Sequence, residues 1–202
     1  MSDDEFQERL QAAKDGDEAA FTDLFRGVQP ALLRYLRTMA HNLGHGTADD
    51  VASDTWLQVV RGLGRFRGDE SGFRAWVFTI ARARLVDARR RANRLPVPHD
   101  TQAMLEGVAG DADVAESVGL IFSTESALAT LRALPPLQAE VVLLRYVAGL
   151  DVDHTARLLG KRSGAVRVTA HRALRRLEAL LDGRQREEEV TQRSADTVRH
   201  SR

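Results

Sequence analysis

Six arginines fall within residues 82–94 against the single acid Asp87, and six bases with no acid fall within residues 161–176. Cations at this density repel one another in the free chain, and a polyanion relieves that repulsion. Around the first block stand aromatic rings: Phe66, Trp76 and Phe78 are interleaved with Arg74, Arg82, Arg84, Arg89 and Arg90. Charge follows phosphates and flat rings stack on exposed bases, so this mixture suits single-stranded nucleic acid. The bland alternative is a solvated arginine face, with Trp76 as core on the apolar stripe of its helix. The second block follows a glycine turn. There Lys161, Arg162, Ser163, Arg167 and Thr169 are placed to reach base edges or flanking phosphates in a major groove. His171 and Arg172, with Arg175 and Arg176, suit the DNA backbone.

Other chemistry is thinner. Asp49, Asp50, Asp54 and Gln58 lie outside the apolar stripe of a helix expected over residues 47–63. Asp49 and Asp50 are explained by the positive end of that helix, whereas Asp54 lies beyond its first turn and suits a partner surface. His41 and His45 with Asp49 and Asp50, or His99-Asp100, are the candidate metal ligands, and no third ligand is placed to converge on them. The absence of cysteine excludes a disulfide framework, a thiolate metal site and a cysteine nucleophile. No catalytic residue, metal or cofactor is expected, and the chain reads as a binding protein, not an enzyme.

The elements that position these residues follow from composition and punctuation. The 202 residues hold 29 Lys+Arg and 29 Asp+Glu, with 43% hydrophobic and 5% aromatic residues. That composition is globular, with a core of Leu, Val and Ala between helices. The acidic start MSDDEFQERL is unlike a secretory signal, and no apolar run approaches the ~20 residues a membrane-spanning helix needs. A soluble, cytoplasmic protein is expected. Leu95-Pro96-Val97-Pro98 ends one helical pattern. From Leu95 to Thr130 there is no base and six acids. The reading is all-α: an acidic segment at 1–15, a helical domain at 16–94, an acidic flexible linker at 95–124, a helix-turn-helix domain at 125–182 and a frayed polar tail at 183–202.

Within the first domain the spacing predicts a helix over 18–26 and a second opening at Pro30. Thr47 with Asp50 is a capping-box pattern, opening the 47–63 helix with Val51, Thr55, Trp56, Val59, Val60 and Leu63 inward. A turn-rich segment over 64–72 leads into the arginine-rich helix over 73–91. In the second domain an amphipathic stretch over 137–147 ends at Gly149. Asp151 then caps a short helix, Gly160 makes the turn, and Ser163 caps a helix over 164–181.

These features resemble the extracytoplasmic-function (ECF) sigma factors of the bacterial sigma-70 family. The resemblance is carried by Gly16-Asp-Glu-Ala-Ala-Phe21, Ala48-Asp-Asp-Val51, Asp54-Thr-Trp-Leu57, Phe73-Arg-Ala-Trp76, Ile80-Ala-Arg82 and Asp87. In the second domain it rests on Leu134-Pro135, Gln138, Glu140-Val141, Leu144-Arg-Tyr146, Gly149-Leu150, Ala156, Leu159-Gly160, Gly164, Val166 and His171-Arg172. The chain differs from the common pattern at Ser53, Ala83 and Val168-Thr169, so no promoter sequence is carried over. The resemblance implies that Asp49, Asp50, Asp54 and Gln58 face the clamp of core RNA polymerase. It implies that the 64–72 loop and the 73–91 helix open and read the −10 element, through Phe66, Arg74, Trp76, Phe78, Arg82, Arg84, Arg89 and Arg90. It implies that Lys161, Arg162, Ser163, Arg167, Thr169, His171 and Arg172 read the −35 duplex, while the second domain meets the polymerase flap.

Two other readings compete. A helix-turn-helix regulator with a sensing domain explains 134–181 but not the arginine-and-aromatic helix, and a helical metalloenzyme lacks a third ligand. The tether holds no base, so it is not expected to hold the domains together by itself. An acidic or amphipathic anti-sigma factor clamping both basic surfaces is the expected partner, and the acidic linker folding back on them is the competing expectation.

Overall fold

A computed structural model describes the backbone of residues 2–93 and 125–199, with side chains over 2–93 and 128–181. Among the described residues every regular element is helical, as the sequence pattern predicts. The acidic connector over 95–124 lies outside the described residues. Helix α1 (Asp3–Lys14) occupies what reads in sequence as a mere acidic segment. The Ser2 hydroxyl accepts from Glu5 N–H while the Glu5 carboxylate accepts from Ser2 N–H, satisfying two end groups reciprocally. Phe6, Leu10 and Ala13 recur along one side and are buried.

Helix α2 (Glu18–Met39) is one helix where two are expected, and Pro30 lies inside it. The ring removes the N–H that would bond the Arg26 carbonyl. Burial of Leu24, Val28, Leu32, Tyr35 and Leu36 along a single stripe outweighs that loss. Helix α3 (Thr47–Leu63) begins without the expected capping box. Its N-cap is Gly46, at φ +82°, a left-handed conformation that favours glycine. The Thr47 hydroxyl instead donates back to the Leu43 carbonyl. Helix α4 (Glu70–Ala92) opens on Asp69, whose carboxylate accepts from Gly72 N–H at 2.7 Å, and ends on Arg89, Arg90 and Arg91.

The second block contains α5 (Glu125–Arg132) and α6 (Pro136–Val142), the latter running into a π-helical turn (Leu143–Val147). It is completed by α7 (Val152–Leu159) and α8 (Ser163–Arg199). Asp151 caps α7 as expected, accepting from His154 N–H at 2.7 Å, and Gly160 closes α7 at φ +63°. Helix α8 continues well past Leu181, through most of the segment read as a frayed tail. Nothing there stops it: residues 184–189 are strong helix formers, no proline follows, and one glycine costs only about 1 kcal/mol.

The two blocks are not held apart on their tether. Helix α2 packs against α5, α6 and the π-helical turn, and α4 packs against α7. The buried side chains of both blocks form one contiguous apolar cluster, from Phe6 to Leu177.

Helices α3 and α4 approach closely at Gly62. A Cβ built on Gly62 would lie 2.7 Å from Trp76 Cζ2 and 3.1 Å from Cη2. The indole is a rigid plate and cannot yield as a flexible side chain would. Gly62→Ala is therefore expected to destabilise the chain despite alanine's better helix propensity. Overpacking of ~1–3 kcal/mol outweighs a propensity gain of about 1 kcal/mol. Urea unfolding followed by circular dichroism reads the lowered midpoint.

Candidate polymerase and nucleic-acid surfaces

Helix α3 separates its two faces sharply. Val51, Thr55, Trp56, Val59 and Leu63 are buried, with the Trp56 indole N–H donating to Gln29 at 2.6 Å. Asp49, Asp50 and Asp54 all stand exposed. Asp49 meets Arg37 at 3.4 Å in an exposed pair that contributes little. Neither Asp50 nor Asp54 has an ionic partner among the described residues. Beside them Leu57 and Val60 are 54% and 55% exposed. Val60, assigned inward from its spacing, is thus on the outer face: α4 covers only a narrow stripe of α3. Acids next to solvent-facing apolar groups are a combination suited to a protein partner. Leu57 was the missed residue, and its place three residues from both Asp54 and Val60 was the available signal. Gln58 is half-buried, and its amide oxygen, in the orientation that satisfies its neighbours, accepts from Arg84 and Arg61 at 3.2 Å.

The loop between α3 and α4 is braced on several sides. Gln7 of α1 donates to the Gly68 carbonyl at 2.9 Å, and Arg67 donates to the carbonyls of Gly64 and Phe66. The Phe66 ring stacks on Trp76 at 5.1 Å and 20°, and meets Phe73 edge-on at 5.5 Å. Phe6 of α1 closes the cluster against Phe73 at 6.0 Å. Phe66 and Trp76 are half-buried, leaving part of each ring at the surface. Phe78 is different. It is fully buried edge-on against Tyr35, so it packs the core and does not present a face to a base.

Several of the α4 cations are engaged within the chain. Arg74 bonds Glu70 and the Gly27 carbonyl, next to the backbone carbonyl that Pro30 leaves without its usual donor. Arg82 Nε meets Glu140 at 2.9 Å. Arg89 donates to the Met39 carbonyl at 2.6 Å, capping the end of α2. Arg84 touches Gln58. Arg90 lies 3.9 Å from Asp87 in an exposed, loose pair. The residues singled out in sequence therefore share one helix but not one state, with Arg90 the most available.

In the second block α7, the Gly160 turn and the start of α8 form the expected helix-turn-helix. Val166, Ala170 and Ala173 face inward, and Lys161, Arg162, Arg167, His171 and Arg172 are exposed. Thr169 is half-buried at the edge of that face. Ser163 does not stand free to meet a base. Its hydroxyl donates to Asp153 at 2.5 Å and ties the recognition helix to α7. Asp151 is held below the usual carboxylate range by the His154 backbone N–H that it caps. Val168, 50% exposed, is an apolar group among the outward cations.

Among the described residues no group of three or more His, Asp or Glu could hold a metal, and no helix is long and apolar enough to cross a membrane. His41 Nδ1 lies 2.9 Å from the Thr38 carbonyl, at the C-terminal end of α2 where an imidazole N–H suits the helix dipole.

Comparison with known proteins matches the same two helical blocks. The Sigma-70 region 2 family model matches residues 24–95, and the Sigma-70, region 4 model matches residues 124–177. The ECF RNA polymerase sigma factor BldN of Streptomyces coelicolor is 34% identical over 86% of this chain and 65% of its own length. SigD of Mycobacterium tuberculosis, also an ECF RNA polymerase sigma factor, is 33% identical over 85% of this chain and 83% of its own. Among solved structures, CnrH in complex with the cytosolic domain of CnrY superimposes with a TM-score of 0.57 and 26% identity. It covers 88% of this chain and 97% of that one. The sigma factor RpoE of Bartonella quintana, in complex with the anti-sigma factor NepR, shares the fold at a TM-score of 0.60, covering 80% of this chain and 96% of that one. Two family models in order over the two helical blocks, together with relatives at least 33% identical over some 85% of the chain, lead to one conclusion: the chain belongs to the ECF RNA polymerase sigma factors of the sigma-70 family.

Proposed function

We propose that this protein binds core RNA polymerase in the cytoplasm, recognises a promoter at its −35 and −10 elements, opens the DNA and directs transcription initiation. The observation that carries this reading is the pairing of two surfaces on two matched blocks. An exposed acidic-and-apolar face on α3 suits a protein partner, and an exposed cationic face on α8 suits duplex DNA. In this reading Asp50, Asp54, Leu57 and Val60 dock on the polymerase clamp. Phe66 and Trp76 offer ring edges to unpaired bases, and Arg84 and Arg90 follow the phosphates of the opened strand. Lys161, Arg162, Arg167, His171 and Arg172 lie along the −35 duplex. Val168 among them suits a thymine methyl. One of the named solved structures, RpoE, is bound to the anti-sigma factor NepR, which supports an anti-sigma factor as a partner here too.

Exchanging Asp50 and Asp54 together for lysine is expected to weaken binding to core polymerase at least about tenfold, which corresponds to ~1.4 kcal/mol. Surface titration with purified core measures it, and far-UV circular dichroism should be unchanged. Wild-type affinity of the double variant would place the docking surface elsewhere.

Arg167→Ala and Arg172→Ala should each lower the slope of log affinity against log salt for promoter duplex by about one unit, the mark of one lost phosphate contact. Arg84→Ala and Arg90→Ala should slow promoter opening instead. Run-off transcription on a pre-melted template should restore their output. A bubble template that rescues neither variant would remove α4 from the melting step.

A further inference from the structure

One charged residue lies almost out of water between the two blocks. Glu140 of α6 is 8% exposed. Its Oε1 accepts both from Arg82 Nε of α4 at 2.9 Å and from the Tyr35 hydroxyl of α2 at 3.0 Å. Tyr35 is fully buried, and burial together with the Glu140 charge pushes its hydroxyl well above the usual phenol range, so it stays a donor. Both donors belong to the first block and the carboxylate to the second. Around them α2 packs on α5 and the π-helical turn, and α4 packs on α7.

We propose that Glu140 is an intramolecular latch that closes the second block onto the first and keeps Arg82 from nucleic acid in the free protein. The occupant of the α2–α4 surface is therefore the second half of the same chain. Three features argue for a switch and not a permanent joint. A buried ion pair contributes little net stability, because each charge regains hydration when the faces separate. The pair thus fixes the geometry of a joint whose holding force is the apolar contact between the blocks. A phosphate oxygen offers Arg82 the same acceptor chemistry as Glu140, so DNA and the latch compete for one guanidinium. Finally, the Glu140 end of the pair is buried while the Arg82 side chain is 35% exposed, so closure should resist moderate salt better than an acidic linker laid over fully exposed arginines. The masking of Arg82 rests on the reading of α4 as a DNA-facing helix, while the closure itself does not.

The chain has no cysteine, so dyes can be placed at two introduced ones. Ser53→Cys on α3 and Ala179→Cys on α8 are both exposed positions. Single-molecule energy transfer in the full chain should show one high-transfer population that survives moderate salt. Glu140→Gln should lower the closed-to-open ratio about tenfold or more, since it leaves Arg82 without its counter-charge. Tyr35→Phe, which keeps the ring packed against Phe78, should shift the ratio in the same direction by less. In parallel, Glu140→Gln should bind a thymidine oligonucleotide several-fold more tightly than the parent chain. An open parent chain, or a Glu140→Gln chain as closed as the parent, would overturn the latch. Opening without tighter binding would overturn the masking of Arg82. Neither result bears on transcription with core polymerase, which fails or succeeds separately in the run-off assay.

Discussion

A carboxylate shut away from water must find partners, and that requirement sets how the halves of this protein meet. Glu140 is nearly buried on the second block, where nothing apolar can satisfy it. Its partners come from two different helices of the first block, Tyr35 on α2 and Arg82 on α4. A hydrogen bond tolerates only a few tenths of an ångström and a limited angle. Meeting both donors with one oxygen therefore restricts the sliding that an apolar contact alone would permit. The same constraint reaches outward: α4 carries the aromatic cluster of Phe66, Phe73 and Trp76, and α7 against it leads through Gly160 into the recognition helix.

Away from that joint, each helix divides its labour by face. The inward stripes of α3 and α8 hold the apolar core, so their outward faces are free to carry charge without cost to the fold. On α3 that face is acidic with Leu57 and Val60 exposed; on α8 it is basic with Val168 exposed. Such opposite surfaces in one neutral chain cancel in the net charge and persist locally, which lets a basic face and an acidic face coexist on one molecule. The braces around the 64–69 loop serve a related end. Gln7, Arg67 and Asp69 hold its backbone so that Phe66 lies against Trp76, since an exposed ring presented by a loose loop would lose entropy on every encounter.

Much of this was legible in the chain because it depends on neighbours in sequence. The helical period placed α3, α4, α6 and α8, and the glycine and aspartate at the α7 boundaries behaved as their chemistry requires. The two basic blocks and their chemistry were read from counting alone. Where local signals misled, the packing of the folded chain or a competing local bond had overruled them. Pro30 normally opens a helix, yet buried contacts on both sides carry α2 through it. Thr47 normally caps, yet its hydroxyl turned back to Leu43. Val60 looks like a core residue, yet no helix lies over it, and Phe78 looks like a base-stacking ring, yet Tyr35 does.

By itself, then, the sequence determined what repeats at short range: helix positions, turn residues, the segregation of charge and the family pattern that follows from them. Spacing along a helix is set by a period of 3.6 residues, so order assigns the middle of an apolar stripe, though not its edge at Val60. Which face meets which partner is not a local property. Glu140, Arg82 and Tyr35 are far apart in the chain, and no periodicity links them. Only the folded arrangement decided that an arginine suited to phosphate would hold a carboxylate, because burial removes water and leaves each charge to the nearest group able to replace it.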